Sequence, residues 1–422
     1  MLPAARRLRS PEYLVHLMGA GVALALFADL ALYVVLPTHT QQAGILLVDV
    51  GLMLSANRLI RIFLNGPYGM LIERVPRRPI LLLSQIFGII AALMYVTTGF
   101  WPLLAGRLLW GMAWSGFWLA GNTAVLDVAT SANRGKLVGR YHMWSFAGYV
   151  GGALFGGLLT DQIGYQATFA VFACGGVTAF ILWLLLLPET RPAASPTPAP
   201  ESNAQRPEPK PQKQSNLVPI ATATVIMGLN WLIFLGIVGA VLALLLQDRV
   251  GDSLAVGLII IPLTTLTGLV AAGKDLLSLL AAPISGALSD AIGSRWTIII
   301  IALAAGVMAL LLVAFGAGLM VIPGLLLGAV ITSILQTQST ALMGDYAGYN
   351  RQGRLLGTIS TAGDIGAATG PLLAFFLIEQ GWSLQQIFLG ATVLLAVILP
   401  WTIWVNWRYA RTGHVAQSIV QA

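Results

Sequence analysis

Long apolar segments separated by short polar breaks recur along the whole 422-residue chain. A helix needs about 20 apolar residues to cross a bilayer. The pattern predicts such spans at 13–36, 45–66, 79–100, 102–126, 137–159, 167–188, 218–246, 260–288, 296–315, 319–343, 355–378 and 385–407. With no water in the hydrocarbon core, the backbone must satisfy its own hydrogen bonds, so the spans are helices. A transmembrane barrel would show short alternating segments, and the chain has none. The first apolar run follows Arg6, Arg7 and Arg9 and ends in a Pro-containing turn, without a small-residue cleavage site. It reads as a first span and not as a removable signal peptide. The expected fold is all-α, with twelve transmembrane helices.

The polar breaks set the orientation. With the N-terminus inside, the inner segments hold Arg6, Arg7 and Arg9; Arg74, Arg77 and Arg78; Arg134, Lys136 and Arg140; Arg191, Arg206, Lys210 and Lys213; Arg295; Arg351 and Arg354; and Arg408 and Arg411. Only Arg249 falls outside. This bias predicts a multi-pass protein of the plasma membrane with both termini cytoplasmic. It also accounts for the net charge of +7, so nucleic acid is not an expected partner. The segment 189–217 is rich in Pro and polar residues and reads as an extended cytoplasmic linker. It divides the chain into an N-terminal six-helix bundle (1–188) and a C-terminal one (218–422).

The two parts repeat. Gly69-x3-Glu73-Arg74-x-Pro76-Arg77-Arg78 joins spans 2 and 3, and Gly286-x3-Asp290-x2-Gly293-x-Arg295 joins spans 8 and 9. Gly69/Gly286, Glu73/Asp290, Pro76/Gly293 and Arg78/Arg295 are each 217 apart. Asp127/Asp345, Gly135/Gly353, Gly139/Gly357, Gly148/Gly366 and Gly152/Gly370 are each 218 apart. Such a period fits a duplicated six-helix unit.

These motifs resemble those of the major facilitator superfamily. The span 2–3 segment is similar to its Gly-x3-Asp-Arg-x-Gly-Arg-Arg loop, with Glu73 in place of Asp and Pro76 in place of the second Gly. Pro fixes a negative φ, so the two turns are expected to differ in backbone. Arg107-x3-Gly111 and Leu187-Pro188-Glu189-Thr190 resemble further family motifs. Gly148-x3-Gly152-Ala153-x2-Gly156-Gly157 resembles the glycine-rich motif of drug:proton antiporters, with Ala153 where that motif has Pro. Close helix packing is the competing reading of those glycines. The resemblance implies two pseudo-symmetric bundles around one cavity. It also implies a gating role for Gly69, Glu73, Arg74, Arg78, Gly286, Asp290, Gly293 and Arg295. Glu73 would face the start of span 11 and Asp290 the start of span 5, holding the cytoplasmic side shut.

Charges inside spans are costly and are functional or paired. Asp29, Asp275 and Asp364 are the proton-coupling candidates. Arg58, Arg107, Trp114, Tyr149, Lys274 and Gln336 are the candidates for lining a substrate cavity. Asp29 is the expected partner of Arg58, Asp364 that of Lys274, and Arg61 is expected to snorkel to the cytoplasmic headgroups. Arg107, Trp110, Trp114 and Trp118 give span 4 an aromatic face, and Thr332 with Gln336 gives span 10 a polar stripe. Gly268-x4-Gly273-Lys274-Asp275 nearly spells a phosphate loop, but it lacks the Ser or Thr and the preceding strand. One cysteine, Cys174, and four scattered histidines offer no metal site, and no catalytic constellation or cofactor motif occurs. The expected function is a monomeric secondary transporter, not an enzyme. Its expected partners are a small molecule, protons and the bilayer. Proton-coupled efflux of an amphipathic compound is the leading reading, with import of an organic anion or lipid flipping as alternatives.

Overall fold

The computed structural model describes residues 10–130, 133–191, 217–347 and 352–420. Twelve long helices run through the described residues in the expected order. They are α1 (Pro11–Val35), α2 (Leu47–Arg74), α3 (Arg77–Val96), α4 (Phe100–Val128), α5 (Arg134–Ile163) and α6 (Tyr165–Leu186). Then come α7 (Leu217–Val250), α8 (Leu263–Ile292), α9 (Arg295–Phe315), α10 (Val321–Ala347), α11 (Gln352–Glu379) and α12 (Leu384–Val420). Most of the linker, the first nine residues and the side chain of Glu73 lie outside what is described. Among the described residues, nine helices are long and apolar enough to cross a membrane by composition alone. The other three are α2, α4 and α5, whose charges, glycines and tryptophans lower their hydropathy and supply the polar centre.

Local chemistry sets the helix ends. Ser10 accepts a hydrogen bond from the Tyr13 N–H and Pro11 opens α1, a pre-organised start. Gly293 ends α8 at φ +72°, a left-handed cap that Gly adopts without a Cβ penalty. At the equivalent turn Pro76 sits at φ −54°, so the two turns do differ in backbone, as proline requires. The structure corrects one expectation here. Gly69, Glu73 and Arg74 belong to α2, and Gly286 and Asp290 to α8; only Val75–Pro76 and Gly293–Ser294 are non-helical. The Val75 and Gly293 N–H groups each bond the carbonyl four residues back, so each helix continues to its last residue.

Two elements were not expected. Within α7, Trp231–Val238 is π-helical, a form that recurs at functional sites. Between α7 and α8, β1 (Ser253–Val256) and β2 (Ile259–Pro262) form an antiparallel hairpin.

Small residues bring the helices together. A Cβ on Gly156 would lie 2.5 Å from the Ala31 Cβ, and one on Gly152 would lie 2.8 Å from that of Leu30, so the α5 glycines seat α1. Gly366 and Gly370 of α11 do the same for α7: Cβ atoms there would meet the Gly228 carbonyl at 2.2 Å and the Gly236 Cα at 2.5 Å. The antiporter-like glycines are thus closely packed residues in both halves.

The backbones of the two halves pack most closely at one end. Away from the basic end, which carries Arg74, Arg77, Arg78 and Arg295, a Cβ on Gly157 would fall 2.3 Å from the Thr264 carbonyl. One on Gly268 would fall 2.5 Å from the Ala153 carbonyl, and one on Gly51 would fall 2.9 Å from that of Pro371. These contacts seal the far end along the α5–α8 and α2–α11 seams. At the basic end, Cβ atoms on Gly66, Gly69, Gly139, Gly286 and Gly357 would meet nothing within 4 Å. The cleft between the halves is open toward the basic end.

Candidate functional site

The polar centre begins with a clasp in the first half. Arg107 of α4 is fully buried, and its Nη1 donates to the Asp29 carboxylate of α1. Its Nε donates to the Met53 carbonyl at 2.7 Å, and its Nη2 donates to the Tyr33 hydroxyl at 3.3 Å. The Tyr33 hydroxyl in turn donates to the Leu54 carbonyl at 2.9 Å. One guanidinium therefore ties α1, α2 and α4. This overturns the expected Asp29–Arg58 pair: Asp29 belongs to Arg107, whose fork reaches several acceptors at once. Arg107 is spent on packing and does not line the cleft as a free charge.

Arg58 lies beside Tyr33, in the field of Asp364 and Asp29, with no carboxylate within 4.0 Å among the described residues. One turn on, Arg61 Nη2 donates to Asp364 Oδ1 of α11 at 3.3 Å. Two expectations fail together here. Arg61 does not snorkel to headgroups, and Asp364 is not the partner of Lys274. A carboxylate across the cleft holds Arg61 more directly than the lipid surface could, and the pair crosses between the halves. Tyr149 of α5 lies in the fields of Arg61 and Arg58. Its ring is 6.2 Å from that of Trp114, which stacks on Trp118 at 6.0 Å; Trp118 stacks on His142 at 5.2 Å. His142 Nε2 is 2.9 Å from Asn122 Oδ1. The aromatic face read from span 4 thus meets the charged cluster at Tyr149.

In the second half, Lys274 and Asp275 line one pocket together with Phe234, Ser278, Gly328 and Thr332. Adjacent in sequence, each lies in the other's field. Phe234 reaches this pocket from the π-helical stretch. Gln336 is exposed on α10.

At the basic end, the two halves carry the same ion pair. Arg77 Nε donates to Asp127 Oδ2 at 3.1 Å, and Arg295 Nε donates to Asp345 Oδ2 at 2.6 Å. Both arginines and both aspartates are 218 apart, so the counterpart of Arg295 is Arg77, not Arg78 as the 217 spacing suggested. Arg78 instead donates to the Leu184 carbonyl at 2.7 Å. Asp290 is 72% exposed and 3.5 Å from Arg295 within its own half, and among the described residues it makes no ion pair across the open end.

Glu189 is a working residue that the sequence reading left unassigned. Its carboxylate accepts from the backbone N–H groups of Arg77 and Arg78 at 2.9 and 3.1 Å, at the start of α3. It stands where Ser294 caps α9. Burial pushes the Glu189 carboxyl up, but the N–H groups of Arg191, Arg77, Arg78 and Thr190 win and hold it below its usual value. A lowered carboxyl stabilises the fold above its unfolded value near 4.5 and loses that contribution as pH falls through the folded value. Glu189→Gln is therefore expected to melt below wild type at pH 7, with the gap closing in acid. Equal melting at pH 7 would show the cap to be idle.

At the far end, Asp161 of α5 accepts from the Thr265 N–H and hydroxyl, both at 2.6 Å. A carboxylate thus sits on the first turn of α8, where exposed N–H groups favour it, and pins the seam.

The molecule is thus a twelve-helix body with pseudo-symmetric halves and a cleft open at one end. The family model described as Major Facilitator Superfamily matches residues 18–274 and 263–415. The chain belongs to the Major Facilitator Superfamily. Its similar relatives include proteins named multidrug resistance protein MdtG. That of Citrobacter koseri is 26% identical over 389 residues, 87% of this chain and 88% of that protein. That of Salmonella choleraesuis is 27% identical over 381 residues, 87% and 89% of the two chains. Among solved structures, a bacterial homologue of the human lysosomal transporter Spinster, inward-facing and occupied, superposes with a TM-score of 0.73. The identity is 14%, with 94% of this chain and 97% of that one covered. A POT family transporter in complex with 5-aminolevulinic acid gives a TM-score of 0.68 at 12% identity, covering 96% of each chain. These structural likenesses show the fold. The chain is a multi-pass membrane transporter of the superfamily.

Proposed function

We propose that the protein exports a small amphipathic compound in exchange for protons, by alternating access. The observation that carries this reading is the Arg61–Asp364 pair, which joins the two halves beside the Trp114–Tyr149 aromatic face. In the state open to the basic end, an ionised Asp364 holds Arg61. A proton arriving from the far side neutralises Asp364, frees Arg61 and unties the halves at the centre. The MdtG relatives, named for multidrug resistance, support the substrate class. Asp29, pinned by Arg107, is the weaker coupling candidate, and Asp275 the next after Asp364. Glu73 and Asp290 are proposed to close the basic end in the opposite state. A second reading, carriage of an organic anion, is favoured by Arg58, which has no carboxylate within 4.0 Å among the described residues. The test is a proteoliposome panel of lipophilic cations and organic anions under an imposed pH gradient. Gradient-driven flux that is lost in Asp364→Asn, with downhill exchange retained, is the expected result. Flux indifferent to the gradient in both proteins would overturn the coupling.

The charge bias supports a topology with both termini and the 189–217 linker on the cytoplasmic side of the plasma membrane. In a Cys174→Ser background, Ala199→Cys is expected to resist impermeant thiol reagents in intact cells and to react after lysis. Ready labelling of intact cells would reverse the orientation.

A further inference from the structure

The hairpin between α7 and α8 is an apolar ribbon held out from the body. Its register pairs Ser253 with Pro262, Leu254 with Ile261, Ala255 with Ile260 and Val256 with Ile259. Leu254 and Ile261 face each other and tuck against the core. The other apolar side chains do not: Val256 is 54% exposed, Ile259 65%, Ile260 69%, and Leu258 at the tip is wholly exposed. From Ser253 to Pro262 there is no charged residue. A two-stranded ribbon is marginal in water, and an exposed apolar patch marks a contact surface.

The neighbouring surface identifies the occupant. The hairpin packs on α8, whose exposed Leu269, Leu276, Leu280 and Ile284 form an uncharged stripe on one helix face. That stripe lies opposite the buried Thr267, Ser285 and Ser289 and reads as the lipid-facing side of α8. The ribbon runs directly into the first turn of that helix, Pro262 preceding Leu263. Its outer edges carry unpaired backbone N–H and C=O groups, which the hydrocarbon core does not tolerate. The polar groups need water and the side chains need lipid, and only the headgroup boundary offers both.

We infer that the 253–262 hairpin is a lipid anchor seated at the headgroup boundary of the leaflet at the far end, the outer leaflet under the charge bias. It fixes the start of α8, because the Leu263 N–H closes on the Asp252 carbonyl at 3.0 Å and Thr265 carries the Asp161 contact. The anchor thus sits two residues from the seam that seals the far end.

The test uses the full-length protein in liposomes, in a Cys174→Ser background, with Leu258→Cys carrying an environment-sensitive fluorophore. Gln380→Cys, in the exposed far-end turn between α11 and α12, is the control. At position 258 the expected result is stronger quenching by lipids labelled near the headgroup than by lipids labelled deep in the chain. Iodide quenching should be about threefold or more weaker than at position 380, the behaviour of an interfacial side chain. Iodide quenching equal to the control, with no lipid quenching, would overturn the anchor. So would disulfide-linked dimers through Leu258→Cys that persist on dilution in lipid, because the occupant would then be a second copy. Neither readout depends on transport.

Discussion

Arg107→Ala is expected to be the most damaging single substitution in the first half. The side chain is fully buried and is the ion-pair partner of Asp29. Its removal strands that carboxylate in an apolar interior and takes the guanidinium donor from the Met53 carbonyl. Breaking a buried pair from one side costs about 3–5 kcal/mol, enough to lower the melting temperature sharply in detergent. Arg107→Lys should rescue little, since an ammonium lacks the planar fork that serves α1 and α2 together. Removing both charges, in Asp29→Asn with Arg107→Leu, should cost less than Arg107→Ala alone, because no uncompensated charge remains. A wild-type melting curve for Arg107→Ala would show that the pair is not structural. Asp29 would then return to the front rank of coupling candidates.

Gly157→Val should abolish transport by a different route. Its new Cβ falls 2.3 Å from the Thr264 carbonyl across the α5–α8 seam. That neighbour is backbone and cannot rotate away. Overpacking costs about 1–3 kcal/mol and occasionally more. Here the cost applies only to the state in which the far end is sealed. Each 1.4 kcal/mol or so shifts a two-state ratio about tenfold, so the population open at the basic end should collapse. A reporter at Gly66→Cys, where a side chain has open space, should lose reactivity toward thiol reagents about tenfold. Unchanged reactivity with normal transport would mean that the seam parts and closes around the larger side chain.

The sequence made the architecture legible because bilayer thickness and backbone self-satisfaction leave few options for twelve apolar runs. Charge sites were legible as a set, because a buried charge needs a reason to be there. Their pairing was not, because it depends on helix rotation and on which helices adjoin. Asp29 met Arg107 of α4, and Arg61 met Asp364 from the other half. A guanidinium reaches several ångströms, so residues far apart in sequence compete for each carboxylate. The basic-end pairs could have been found by applying the 218 spacing of Asp127/Asp345 to the arginines, which selects Arg77. Glu189 could not, since its role depends on the end of α6 returning to the start of α3. The hairpin lacks a helical period, but its short apolar run offered little to separate it from the start of a span.

The Arg77–Asp127 and Arg295–Asp345 pairs make the molecule its own comparison. The turns beside them have diverged, one through Val75–Pro76 and the other through Gly293–Ser294. The caps have diverged too, a distant glutamate at α3 and a local serine at α9. The arginine and its aspartate have not. The clamp is therefore common to both halves while the turn and the cap beside it differ. What the two turns require alike is a guanidinium held on a carboxylate, and the backbone chemistry around that pair is interchangeable.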